Sequence, residues 1–242
     1  MMKRLSATPI FLILMMSTCF AQQRAASPEW QAFVGVGYWS APSDLNDYYS
    51  ASLDFYRQHG VPIPMRSRFG RTFSLDGGLL YSRISTIQIG LSGGIRYSPA
   101  YSSYEDFAGA LKVNGSIYSL VVSLVVHDKI SELWGWPLIL TVEPGLVHSS
   151  VAITAQSRFN GLPQFNDEIE WTGSAWGFQF RGLLGTSLPV GPFVAGMHIG
   201  YQISHAKMTN GGGASGWMID TNGSILLDQD GPILLLSLYF TL

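Results

Sequence analysis

The sequence predicts an all-β protein: an eight-stranded antiparallel up-and-down transmembrane β-barrel, with long extracellular loops at one end and short periplasmic turns at the other. Three observations carry this. Charged residues make up only 12% of the chain, with 13% aromatics and 27 glycines, against roughly 25% charge in an ordinary soluble domain. Past the N-terminus, no run approaches the roughly 20 consecutive apolar residues that a membrane helix needs. Segments of about ten or more residues with period-two alternation recur instead, joined by connections that alternate between long and short.

The segments follow in order. The first, 30–40, sets Trp30, Ala32, Val34, Val36 and Tyr38 against Gln31, Gly35 and Gly37. The second, 69–83, sets Phe73, Leu75, Leu79 and Tyr81 against Thr72, Ser74, Asp76 and Gly78. The third, 86–98, alternates Ile87, Ile89, Leu91, Ile95 and Tyr97 with Gln88, Gly90, Ser92, Gly94 and Arg96. The fourth, 112–126, carries Tyr118, Leu120, Val122 and Leu124 opposite Ser119 and Ser123. The fifth, 137–157, is expected to change phase at Pro144 and Gly145, because proline cannot donate to a ladder and is confined to edges and bulges. The sixth, 171–188, sets Trp176, Phe178, Phe180, Leu184 and Leu188 against Gly177, Gln179, Arg181, Gly185 and Ser187. The seventh, 193–207, sets Phe193, Met197, Ile199, Tyr201 and Ile203 against His198, Gln202 and Ser204, and the eighth, 233–242, reaches the last residue.

The connections 82–85 and 189–192 are tight, whereas 41–68, 99–111, 158–170 and 208–231 are long. The middle connection, 127–136, is an exception at ten residues. Short turns and long loops at opposite ends place both termini on one side, the periplasmic side of an outer-membrane barrel. Loop 41–68 is the most distinctive surface. Its stretch 44–60 (DLNDYYSASLDFYRQHG) reads as a short helix ended by Gly60 and Pro62, and is either a contact surface for a ligand or a plug across the barrel mouth.

Residues 1–21 read as a secretory signal peptide: Lys3 and Arg4, a short apolar run from Pro9 to Met16, and a small residue, Ala21, before the cleavage point. The barrel domain is then 22–242. Cys19 admits lipidation as a rival reading, but Thr18 and Met16 match a lipoprotein signal poorly. Cleavage removes two of 14 basic residues and none of 16 acidic ones, leaving 12 − 16 = −4. It also removes the single cysteine, so the mature chain has no disulfide and no thiolate ligand. The acidity argues against a nucleic-acid partner.

In hydrocarbon every backbone polar group must be satisfied internally, which leaves helices and closed sheets. Aromatics near the segment ends, including Trp30, Tyr38, Phe73, Tyr81, Tyr97, Trp134, Trp136, Trp171 and Trp176, fit two interfacial girdles. The inward face carries Asp76, Arg96, Glu143, Arg181 and His198, with Gln88, Gln179 and Gln202. An eight-stranded barrel has room only for side chains, so these groups must pair inside it as a polar network, and no wide pore is expected.

The signal, the eight alternating strands, the loop asymmetry and the final segment LLLSLYFTL (234–242) together resemble the small eight-stranded outer-membrane proteins of the OmpA/OmpX type, over essentially the whole mature chain. The resemblance implies insertion by the barrel assembly machinery, which in that family reads an aromatic last residue. Here the end is Leu242, with Phe240 two positions earlier on the same face.

Ser204 and His205, at the outer end of the seventh segment, are the candidate catalytic pair and faintly resemble the His-x-Ser-Asn stretch of lipid A deacylases. The order is wrong, however, and adjacent strand residues point to opposite faces. His148, Ser149 and Ser150 read as rim groups, and His127-Asp128 as turn groups. No cluster has metal-ligand spacing, and no cofactor is expected. The function expected is structural, or binding and adhesion through the loops. The alternative is a lipid A-modifying barrel enzyme. Partners are outer-membrane lipid and lipopolysaccharide, the assembly machinery and a surface ligand at loop 41–68, with the chain a monomer.

Overall fold

The computed structural model describes residues 29–40, 54, 57–58, 71–84, 86–106, 109–160, 166–208, 225–226 and 229–242. The signal segment and most of loop 41–68, including nearly all of its expected helix, lie outside them. The strands are β1 (Glu29–Ser40), β2 (Arg71–Ile84), β3 (Ile87–Asp106), β4 (Gly109–Leu133), β5 (Trp136–Phe159), β6 (Asp167–Val190), β7 (Phe193–Met208), β8 (Ile225–Leu226) and β9 (Gly231–Thr241). Each of β1 to β6 pairs antiparallel with the next, β7 pairs with β9, and β9 returns to β1. Eight strands therefore close a ring. The two-residue β8, which the alternation pattern does not show, pairs with Lys207 and Met208 at the top of β7.

Closure fixes the geometry. A row of paired residues that starts at Ile87 runs through Asp128, Leu140, Leu184, Ile199, Leu234, Tyr38 and Phe73, and re-enters β3 at Tyr97, ten residues from its start. With about 3.3 Å per residue and about 4.8 Å between strands, that stagger tilts the strands by about 41° and leaves a radius of about 8 Å, room for side chains alone. Each residue then rises about 2.5 Å along the axis.

Outward side chains form two aromatic rings. The lower ring holds Trp30, Tyr81, Trp136, Phe193 and Phe240, with Trp30 tilted against Tyr81 at 4.9 Å and Phe193 edge-to-face with Phe240 at 5.0 Å. The upper ring holds the pairs Tyr38–Phe73 at 5.5 Å, Tyr97–Tyr118 at 4.8 Å and His148–Trp176 at 4.6 Å, with Phe178 and Tyr201. The rings are eight residues apart on β1, β2 and β7 and twelve on β5, about 20–30 Å along the axis. That matches the apolar band of about 25 Å on a transmembrane barrel. Among the described residues, outward positions between the rings are apolar or glycine, apart from Thr186 and, at the lower edge, Asp128.

Above the upper ring the faces exchange character. Outward residues become polar: Asn114, Lys112, Thr154, Gln156, Glu168 and Glu170 are opposite one another on β4 to β6. Inward residues become apolar and buried: Leu111, Val113, Ile117, Val151, Ile153 and Ala155. This exchange is what a wall leaving lipid for water requires, since apolar surface loses its favourable exterior there. Strands β3 to β6 stand about ten residues, or about 25 Å, above the ends of β1, β2 and β9.

Four expectations change. Segment 99–111 is largely strand, with β3 ending at Asp106 and β4 beginning at Gly109, and segment 158–170 is strand at both ends, where β5 runs on to Phe159 and β6 begins at Asp167. A search for apolar-outward alternation misses them because the preferred face inverts. The ten-residue exception, 127–136, is a two-residue turn, Trp134-Gly135, both at positive φ (52° and 81°) between extended strands, the backbone that a tight hairpin demands. No register shift occurs at Pro144 and Gly145. Pairing with β4 lapses between Val142 and Gly145 and resumes in the same register, while the shift lies between Lys129 and Ser131. Pro144 faces outward, and losing its ladder bond inserts no extra residue. Trp171, expected in a girdle, points inward and is buried at 3% exposure.

Candidate functional site

Period two places Asp76 on β2, Arg96 on β3, Glu143 on β5 and Arg181 on β6 on the inner face, and closure brings them together inside the membrane, with Arg96 just below the upper ring and the other three near mid-height. Arg181 lies centrally. One guanidinium nitrogen is 3.3 Å from Asp76 Oδ1 and 3.3 Å from Glu143 Oε2, and Nε donates to Gln202 Oε1 at 2.9 Å. Asp76 also accepts from the Ser74 hydroxyl at 2.7 Å. Arg96 donates to the Gln179 carbonyl oxygen, and Gln179 Nε2 donates to Ser123 Oγ at 2.6 Å. All four charged groups are buried, each at 5% exposure or less. Two cations balance two anions, the condition under which buried charges are tolerable. A Cβ at Gly94 would collide with the Asp76 carboxylate, and one at Gly145 with Ser123, so glycines in this wall make space for its polar groups.

His198 is inward and buried but belongs to a second, lower cluster. Its Nε2 is 3.1 Å from the Tyr239 hydroxyl, and its ring lies 5.9 Å from that of His127. Beside it Phe33, Leu80, Val125 and Tyr239 form an apolar plug. Above the charges, the Gln202 amide donates to the Gln229 carbonyl at 3.0 Å and the Ser119 and Ser149 hydroxyls share a bond of 2.8 Å. Above a lower mouth lined by Gln31, Gln88 and His127, the lumen is thus closed by an apolar plug, a charged layer and a hydroxyl and amide layer.

Ser204 and His205 lie on opposite sides of the wall. Ser204 is inward and buried, its N–H donating to Asp230 Oδ1 at 2.8 Å and its carbonyl accepting from Gln229 at 3.0 Å. His205 is outward and exposed, level with the upper ring. His127 is no turn residue; it lies inside β4, facing the lumen. His148 is outward on Trp176, Ser149 inward and Ser150 outward. Ser123, on the inward face of the fourth segment as expected, is joined in the lumen by Tyr239, Gln229 and His127, which sequence reasoning does not place there. The odd-numbered alternation of β4 and of 231–239 is the signal that locates His127 and Tyr239, and Gln229, ahead of β9, has no such signal. Among the described residues no group of three His, Cys, Asp or Glu side chains could hold a metal ion.

A closed eight-stranded ring, an apolar belt between two aromatic rings and a filled, charge-balanced lumen define a small transmembrane β-barrel. No protein-family model matches the chain, and no curated protein matches it. Among solved structures it is similar to Ail, the attachment invasion locus protein of Yersinia pestis, at 13% identity and a TM-score of 0.39, covering 88% of this chain and 99% of that one. A second structure of Ail, in complex with the heparin analogue sucrose octasulfate, is similar at 11% identity and a TM-score of 0.42, with the same coverage.

Proposed function

We propose that the chain is exported by residues 1–21, is inserted by the barrel assembly machinery and resides as a monomer in a bacterial outer membrane with its termini in the periplasm. There it serves a structural or surface-binding role through its extracellular end. The observation that carries this is the division of the barrel: a lumen closed by the network of Arg181, Asp76 and Glu143, beneath four strands that stand about 25 Å above the ends of their shorter neighbours. A closed lumen leaves no wide pore, so activity belongs to the projecting sheet and to loop 41–68 as a site for a surface ligand. The observed separation of Ser204 from His205 supplies nothing for acyl-transfer chemistry between them.

Two measurements test this. In planar lipid bilayers the purified barrel is expected to show no stepwise conductance of the porin kind, and regular large steps would sink the closed-lumen reading. The mature chain lacks cysteine, so single cysteines report orientation. Thr154→Cys, on the outward face of β5 above the upper ring, should react with a membrane-impermeant maleimide on intact cells. Trp134→Cys, at the exposed β4–β5 turn, should react only after lysis. The opposite pattern would reverse the orientation.

A further inference from the structure

The outward face of β4 to β6 changes in steps as it leaves the membrane. At the upper ring it presents Leu120, His148 and Trp176 in one row. The next two rows are Tyr118, Ser150 and Ser174, then Ser116, Ala152 and Thr172. Beyond them stand Thr154 and the longer side chains of Asn114 and Glu170. Short side chains between an aromatic row and a long polar row leave a cleft of about 460 Å³, to which Gly173 adds backbone. Four serine and threonine hydroxyls and the Tyr118 hydroxyl belong to its lining, and no charged side chain lines it. Tyr118 lines its base, 54% exposed, and Trp176 stands exposed in the adjoining row below.

From this the geometry points to a docking site for a sugar ring, and specifically for the saccharide headgroup of a glycolipid in the surrounding outer leaflet. The proposal rests on the outer-membrane reading above. Serine and threonine hydroxyls both donate and accept, as sugar hydroxyls do. An aromatic face carries the negative side of its quadrupole, against which the C–H face of a sugar packs. A phosphate would call for Arg or Lys in the lining, and none is present. Height selects a lipid-borne sugar over a free polysaccharide: the two rows stand about 5 and about 10 Å above the aromatic ring, at and just beyond a headgroup layer of about 5–8 Å per leaflet, within reach of a sugar carried on a lipid.

The test uses the full mature barrel reconstituted in phosphatidylcholine nanodiscs doped with dephosphorylated lipopolysaccharide. Retained glycolipid per barrel is counted by native mass spectrometry. The wild type is expected to retain about one glycolipid per barrel, and Ala152→Trp, which fills the cleft, about tenfold less. Ser174→Leu, a milder change that removes one hydroxyl, should also lose retention. Heat-modifiable migration confirms that each variant is folded. Equal retention by the wild type and both folded variants overturns the proposal. Retention that requires the lipid phosphates overturns it too, because the cleft is uncharged. A processed wild-type chain that partitions into water without detergent overturns the membrane reading itself and the docking site with it, an outcome distinct from the other two.

Discussion

Replacing Arg181 with methionine is expected to destabilise the barrel by about 3–5 kcal/mol, the cost of leaving a buried charge without its partner. Arg181 touches both Asp76 and Glu143, each at 3.3 Å. Its loss strands two carboxylates at mid-membrane height, where water cannot reach them. The double variant Arg181→Met, Glu143→Gln removes one charge of each sign and leaves Arg96 with Asp76, so it is expected to recover much of the loss. Equilibrium unfolding in urea, read on the purified protein in detergent micelles, checks both. A single variant no less stable than the double would show that the charges are not compensating one another.

Leu91 carries the second large effect. It is outward on β3 between the two rings and 63% exposed. It is one of a continuous belt of exposed apolar side chains, and a belt of that extent is natural where lipid covers it. Leu91→Arg is expected to cost about 2–4 kcal/mol in a bilayer, the range for a cation near the midplane of a barrel wall. Thr154→Arg, also outward but above the upper ring, should stay within about 0.5 kcal/mol, as surface changes do. The contrast between the two reports membrane depth directly. If Leu91→Arg is as mild as Thr154→Arg, the outer wall is not bathed in lipid, and the apolar belt needs another cover.

Both effects depend on which face each residue takes, and that much is legible in the amino-acid sequence. The inward placement of Asp76, Arg96, Glu143, Arg181 and His198 follows from counting twos along single strands. The grouping does not: Arg181 and Asp76 are 105 residues apart in the chain, and nothing local states that they meet. His198 shares the inner face with the charges yet pairs with Tyr239 instead, because its place on β7 puts it nearer the lower ring. Trp171 misleads in the opposite way. An aromatic near a segment end resembles a girdle residue, but its position on β6 lies above the membrane, where inward is the apolar side.

The amino-acid sequence by itself determined that there are eight principal strands, their approximate centres and which side chains face out. Alternation is a local property, imposed on each strand by having lipid on one side and a filled lumen on the other. The tertiary structure alone decided the stagger of ten residues, the partners inside the lumen and the height at which the faces exchange roles. Those depend on register between strands distant in the chain and on the closure of the ring, and a period of two is the same at every register that keeps its parity.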